Sequence, residues 1–292
     1  MSTFAGIDTL VAVVEQQSLS GAARTLGVSV AHVSRQLTAL EKRLGSQLIK
    51  RSTRQLTVTD SGELYYRHAR QLLDGLAEAD DAVATLEGRL QGRLRITAAT
   101  AFGERFVAPA VMHFLTAHPA LKVDLILSNS NLDLVAEGID VAIRLGQLAD
   151  SSHLATKLAP RRLYLCASSA YLQRFGTPAS AAELDRHSCL LGTLGYWRSK
   201  AGPLRPEARL RLNSGKVLLN AALDGLGIVQ LPDYYVVDHL ASGRLQEVLA
   251  PLRPADSAVW ALHPARLAKT PRVARFVEHL RQHLTATLPK PL

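Results

Sequence analysis

From Tyr65 onward, apolar residues recur without a miss at alternating spacings of four and three: Tyr65, Ala69, Leu72, Leu76, Ala79, Val83, Leu86 and Leu90. That is a heptad seam along one helix. Asp60 followed by Glu63 is placed to cap its start. A helix of about 30 residues is ~45 Å long, too long for a small neighbouring motif to cover its stripe. The seam therefore asks for a partner helix, most simply the same helix of a second subunit, with Leu72, Leu76, Val83 and Leu86 as the dimerisation residues. An amphipathic helix packed on its own domain is the alternative. With 292 residues the chain exceeds one ordinary domain, and the helix divides it into a short N-terminal and a longer C-terminal part.

Ahead of the seam, Phe4, Ile7, Leu10, Val11 and Val14 lie on one face of a first helix that ends near Gln17. Ser18 or Ser20 can cap a short second helix, Gly21 to Leu26, and Gly27 stops it. Ser29 caps a third from Val30 to Leu44, with Val33, Leu37, Leu40 and Leu44 as its buried stripe and Gly45 at its end. Two short helices around a tight glycine turn read as a helix-turn-helix. Its second helix leaves Ala31, His32, Ser34, Arg35 and Thr38 on the other side, near the N-terminal half that enters a major groove in this motif. Arginine can read guanine with two hydrogen bonds, serine can reach base or phosphate, and alanine can meet a thymine methyl. Simple solvation of Arg35 and His32 is the alternative. Leu48 to Thr59 then forms two β-compatible runs around a basic tip at 52–55, a wing whose Arg51 and Arg54 can lie along phosphates, probe a minor groove or act only as edge charges.

Net charge needs care. The chain carries +9, yet residues 1–90 hold ten basic and ten acidic side chains, so the whole excess sits in residues 91–292. Within residues 24–59, however, seven Lys and Arg face the single acid Glu41, a local +6 suited to phosphates.

The segment Phe4 to Gly62 resembles the DNA-binding domain of LysR-type transcriptional regulators, most clearly at 18–29 (SLSGAARTLGVS), 33–45 (VSRQLTALEKRLG) and 56–62 (LTVTDSG). Where family members commonly place Gln and Pro after the capping serine, this chain has Val30 and Ala31, which bears on base preference. The resemblance puts Val30, Ala31, Ser34 and Arg35 at groove-facing positions and Arg51 and Arg54 on the wing; Ser29, His32 and Thr38 complete the candidate DNA-binding set from the helix reading. It continues more loosely through Gly92 to Thr97, Asp140 to Gly146 and Gly225 to Pro232. It implies an α/β architecture: a winged helix-turn-helix at 1–59, a dimerising linker helix at 60–90, and a two-lobed, periplasmic-binding-protein-like effector domain at 91–292. Lobe I would span about 91–160 and 265–292, and lobe II about 161–264. The function implied is transcription regulation at a promoter or operator in double-stranded DNA, by a homodimer or homotetramer that binds a small organic effector and needs no cofactor.

The C-terminal part itself reads as strands alternating with helices, hence parallel α/β: strands at Leu94 to Thr97, Leu121 to Leu127, Val141 to Arg144, Arg162 to Ala167, Cys189 to Leu191, Arg209 to Leu212, Ile228 to Leu231 and Val259 to Leu262. Helices are expected at Phe102 to Ala117, Leu132 to Glu137, Ala170 to Phe175, Val217 to Leu223 and Pro271 to Leu284. Ligands collect beyond the C-terminal ends of parallel strands. Thr100, Ser128, Asn129, Arg144 and Gly146 offer polar groups there, and Phe102, Tyr196 and Trp197 offer apolar walls, each with an ordinary capping, turn or core role as its alternative. The basic excess of this half leans toward an anionic effector.

Other classes find little footing. Gly225-Leu226-Gly227 lacks the third glycine of a dinucleotide loop and precedes a strand, and no GxSxG, phosphate-binding loop or paired-acid motif appears. His279 and His283 have zinc-compatible spacing without a third ligand. Cys166 and Cys189 sit in apolar stretches, which predicts buried, inert thiols rather than a redox pair. No apolar run approaches the ~18 residues of a membrane span and no signal-peptide order opens the chain, so no membrane partner and a cytoplasmic location are expected.

Overall fold

A computed structural model describes residues 5–51, 56–86, 90–130, 132–134, 137–148, 153–254, 257–267 and 270–289. The chain divides into two compact units, Met1–Gly88 and Arg89–Leu292.

In the first unit, helix α1 (Ile7–Gln16) closes at Gln17 in a left-handed conformation. The Ser18 hydroxyl, of the two serines considered, accepts the Gly21 amide and caps α2 (Leu19–Leu26), which stops at Gly27. Ser29 accepts the His32 amide at 3.1 Å and caps α3 (Val30–Leu44), which ends at Gly45. Leu10, Val13, Ala22, Val33, Leu37 and Leu40 form the core, joined by Leu48 and Ile49. The wing is the antiparallel pair β1 (Ile49–Arg51) and β2 (Leu56–Val58). Its tip at 52–55, including Arg54, lies outside the described residues, as does the side chain of Arg51.

Helix α4 (Asp60–Leu86) follows. Its cap is Thr59, not Asp60: the Thr59 hydroxyl accepts the Gly62 amide at 3.0 Å and lies 2.7 Å from the Gln47 carbonyl, so one residue both starts the helix and ties it to the wing. Gly62 passes so close to the wing that a Cβ would stand 2.1 Å from the Leu48 carbonyl oxygen, a distance no side chain tolerates. The heptad seam is divided in space. Ala69, with the seam residue Tyr65 and the neighbouring Tyr66, packs with Ile7 and Val11 of α1, whereas Leu72, Leu76 and Val83 stand 54%, 62% and 62% exposed. The side chain of Leu86 lies outside the described residues, and Leu90 lies past the helix end, packed against the core of the second unit.

The second unit begins with β3 (Gly92–Ala98), then α5 (Thr100–Phe102), which runs through a π-turn at Gly103–Val107 into α6 (Ala108–Ala117). Next come β4 (Leu121–Leu127), β5 (Val141–Gly146) and β6 (Leu154–Pro160), then β7 (Leu163–Ser168), α7 (Ser169–Phe175) and β8 (Cys189–Leu191). A hairpin of β9 (Trp197–Ser199) and β10 (Gly202–Leu204) precedes β11 (Ala208–Arg211), α8 (Gly215–Leu223), β12 (Ile228–Pro232), α9 (Asp233–Ala241) and β13 (Leu245–Glu247). Strand β14 (Ala258–His263) and helix α10 (Pro271–Thr287) finish the chain.

These make two five-stranded sheets, ordered β4-β3-β5-β14-β6 and β11-β8-β12-β7-β13. Neither is purely parallel, because the strands that carry the chain between lobes, β6 and β14 on one side and β7 and β13 on the other, run antiparallel to their neighbours. Strand β14 pairs with β5 and β6, so residues 258–263 belong to the first lobe, not to the second as a boundary at 264 requires. Leu132 to Glu137 shows no helix among its described residues. The Glu137 amide donates to the Asp133 carbonyl, Gly138 is left-handed, and Leu134 and Ile139 drop into an apolar cluster.

Gly225 adopts φ 75° at the end of α8, and a Cβ on Gly227 would stand 2.2 Å from the Ser188 carbonyl. The Gly-Leu-Gly run is thus a helix-to-strand turn. Cys166 and Cys189 lie on the two strands flanking β12, so their Cα atoms are roughly 9–10 Å apart by sheet spacing, beyond disulfide reach. Burial pushes both thiols up to about 12, with Glu247 and Asp185 adding smaller effects at Cys166 and Cys189 respectively.

Where α6 meets α10, His113, Phe114, His118, His279 and His283 stack edge to face and side by side. His279 Nε2 is 3.0 Å from the Ala110 carbonyl, to which it donates. Burial, aided by the neighbouring imidazoles, holds His279 and His283 below their ordinary value of 6.5. Because the folded state disfavours their protonation, their contribution to stability is complete above that value and is lost as pH falls from it through the lowered value of the folded state. The melting temperature of the full chain should fall more steeply between pH 7.5 and 5.5 than that of His279→Gln. Parallel curves would remove His279 from the acid response. Among the described residues no three His, Cys, Asp or Glu side chains are grouped to hold a metal, and no helix is long and apolar enough to cross a membrane.

Candidate functional site

Two surfaces stand out, one in each unit. On α3, burial of Val33, Leu37 and Leu40 forces the intervening residues outward by helical period. Val30 is 44% exposed, Ala31, His32, Arg35 and Thr38 are exposed, and Ser34 is half-buried. Glu41, the single acid of this basic stretch, faces the wing: its Oε1 accepts the amides of Leu48 at 2.8 Å and Ile49 at 3.0 Å. It locks the wing to the helix, and its charge is spent on two amide donors. Arg43 donates to the Tyr65 hydroxyl at 2.9 Å. His32 and Gln36 also border an apolar groove lined by Ile7, Leu72, Leu73 and Leu76, the exposed part of the seam.

The second surface is a cleft of about 300 Å³ between the lobes. Phe102, Asn129, Gly146, Tyr196 and Trp197 line it. Thr100, Ser128 and Arg144 do not. Thr100 opens α5 with its amide on Asn129 Oδ1 at 3.1 Å, and the Ser128 hydroxyl accepts the Ser130 amide. Arg144 follows Ile143, which faces the main core of the lobe, so strand alternation turns Arg144 to the opposite face, opposite Trp260 in register. Burial lowers its pKa.

Among the described residues the cations of the cleft are Arg161 and Arg198, neither of which strand-end reasoning singled out. Arg161 sits where the chain crosses between lobes. One of its Nη atoms donates to the Ser257 hydroxyl at 3.1 Å, its charge acts on the Tyr234 hydroxyl, and its Nε is buried with no protein partner. The Arg198 backbone is fixed by Gln230, which accepts its amide at 2.8 Å and donates to its carbonyl at 2.7 Å, while its guanidinium reaches Gln147 at 3.4 Å. Trp197 is buried in the wall with its indole N–H unpaired. Tyr234, from the second lobe, packs edge-on against Phe102 and Phe106 of the first. Among the described residues no Asp or Glu lines the cleft. The neighbours of Arg161 and Arg198 come from strands far apart in sequence, so only the consecutive Arg161-Arg162 at the predicted crossover offered a signal.

A winged helix-turn-helix joined by a long helix to a two-lobed ligand-binding module is the build of a regulator that couples DNA binding to a small molecule. The bacterial regulatory helix-turn-helix model of the lysR family matches residues 4–63, and the LysR substrate binding domain model matches residues 87–285. The chain belongs to the LysR family of transcriptional regulators. It is 32% identical over 294 residues to the HTH-type transcriptional activator TtdR of Escherichia coli strain K12, covering 98% of this chain and 94% of that one. It is 33% identical over 287 residues to the HTH-type transcriptional regulator DmlR of the same strain, covering 95% and 93%. The solved structure of CrgA, a LysR-type regulator from Neisseria meningitidis, is 31% identical with a TM-score of 0.60 over 97% of this chain and 99% of that one. The protein is accordingly a DNA-binding transcriptional regulator with an effector-binding domain, and not an enzyme.

Proposed function

We propose that this regulator binds its operator as a homodimer, paired further into a tetramer, and that an organic anion held between the lobes of the effector domain alters that binding. The observation that carries the effector reading is a pair of buried, unpartnered donors, Arg161 Nε and Trp197 Nε1, in a cleft that no carboxylate lines among the described residues. Leaving such groups unmatched costs about 1–3 kcal/mol each, and a carboxylate or similar acceptor relieves it. Phe102, Tyr196 and Tyr234 supply apolar walls for the remainder of the molecule. The DNA-reading groups are Val30, Ala31, Ser34 and Arg35 of α3, flanked by Ser29, His32 and Thr38, with Arg51 and Arg54 of the wing on phosphates. The exposed Leu72, Leu76 and Val83, with Leu86 in the same register, accept a second copy of α4. The site of action is the cytoplasm, where the bacterial operator is.

The test of the effector reading is thermal denaturation of the full chain in a panel of organic acids, amines and neutral compounds. Acids should dominate the stabilising compounds, and Arg161→Gln should weaken the best of them about 10- to 100-fold, the range for one charge-assisted hydrogen bond. Stabilisation by amines alone, or an unchanged affinity in Arg161→Gln, would overturn it.

A further inference from the structure

A second cavity, of about 430 Å³, opens beside the cleft under the β9–β10 hairpin. Its walls come from both lobes: Gln147 and Ser257 from the first, and Tyr196, Arg198, Lys200 and Arg205 from the hairpin and its flanks. Three cations face one space, and among the described residues no carboxylate lines it. Among the described residues none of the three is ion-paired. Arg198 spends its guanidinium on the neutral Gln147, and Arg205 lies 5.2 Å over the Tyr196 ring. The hairpin is held rigidly enough to fix them: Trp197 pairs with Leu204, the Ser199 hydroxyl donates to the Gly202 carbonyl at 2.6 Å, and the Lys200 amide donates to Leu252 of the crossing segment. Like charges gathered by a fixed backbone repel one another, so a counter-anion stabilises this arrangement more than it would the same residues dispersed.

We propose that this cavity is an anion site separate from the effector cleft, taking a compact oxyanion such as phosphate, and that its occupation ties the hairpin of lobe II to Gln147 and Ser257 of lobe I. It shares Arg198 and Tyr196 with the cleft but not Arg161, which makes the two sites separable. The protein carries its own reporters. It has two tryptophans, Trp197 at the start of the hairpin and Trp260, whose indole donates to the Gly146 carbonyl next to Gln147. Both lie in the second unit, so they report on that unit directly and on phosphate in the DNA-binding unit only through coupling, which the Lys200 and Arg205 substitutions leave in place.

The experiment titrates potassium phosphate against chloride at constant ionic strength and follows tryptophan fluorescence of the full chain. Wild type and Arg161→Gln should give the same saturable change. Removing two exposed cations in Lys200→Gln/Arg205→Gln should weaken the response about 100-fold, near tenfold per charge-assisted contact, and Arg205→Lys should stay close to wild type. A flat wild-type titration overturns the site, as does a double variant that responds like wild type. Loss of the response in Arg161→Gln assigns the phosphate to the cleft and equally overturns a separate site. The cleft reading can fail in its own acid panel without touching this result.

Discussion

The double substitution Leu76→Asp/Val83→Asp should convert the regulator to monomers and abolish tight operator binding, the largest effect expected of any change described for this chain. Both side chains are 62% exposed in the isolated chain, so the substitutions cost the monomer little. In a helix pair the same positions are enclosed, and an unpaired carboxylate there costs several kcal/mol. The apolar groove formed by Ile7, Leu72, Leu73 and Leu76 extends the same face onto α1, so a partner helix covers more than the seam alone. Operator affinity falls with the dimer because two recognition helices one helical turn of DNA apart bind as a linked pair, and separating them forfeits an avidity of about 100-fold or more. Sedimentation of the double variant should give a single monomeric species with unchanged helix content. A wild-type oligomer would mean that α4 is not the dimer contact.

Arg35→Ala is expected to have the next largest effect. One two-pronged contact to guanine is worth about 1–3 kcal/mol, and a dimer makes it twice, so operator affinity should fall by about 2–6 kcal/mol. Affinity for random DNA should change far less. Arg51→Ala and Arg54→Ala should instead weaken all sequences together and reduce the salt dependence of binding. Arg35 is exposed and Ser29 caps the helix just before it, so the substitution leaves the core of Val33, Leu37 and Leu40 intact. Competition binding between operator and random duplexes separates the two patterns. An equal loss on both would make Arg35 a phosphate contact.

The N-terminal unit was legible because its signals are local. A serine three residues before the amide it accepts, a glycine where the chain turns left-handed, and apolar residues at helical spacing all lie within one or two turns. The first errors arise where that locality ends: Asp60 resembles a cap, but Thr59 holds the position because its hydroxyl also reaches the wing. In the second unit the strand pattern was readable, whereas α9 was not. Its Tyr234, Tyr235, Val236 and Val237 favour a strand by composition, and burial against both lobes overrides that preference. The edge strand β6 alternates too briefly to be seen, and the hairpin β9–β10 is a three-residue pairing. The cleft was half legible. Phe102, Asn129, Gly146, Tyr196 and Trp197 follow from strand ends, but Arg144 lies within β5, two residues short of its end at Gly146, and does not reach the cleft. Arg161 and Arg198 become visible only once the crossing strands have brought the lobes together.

The link between the two surfaces has the most direct test in a footprint of the full chain on its operator, titrated with an organic acid that stabilises the protein. A ligand moves a conformational equilibrium only by the difference in its affinity for the two states, so a coupling of about 1–3 kcal/mol is expected. The wild-type footprint should shift or change in strength at saturating acid, and that of Arg161→Gln should keep its ligand-free form at the same concentration. A wild-type footprint that stays fixed while the acid is bound, or an Arg161→Gln footprint that shifts with wild-type dependence, would contradict control of operator binding by an anion in the interlobe cleft.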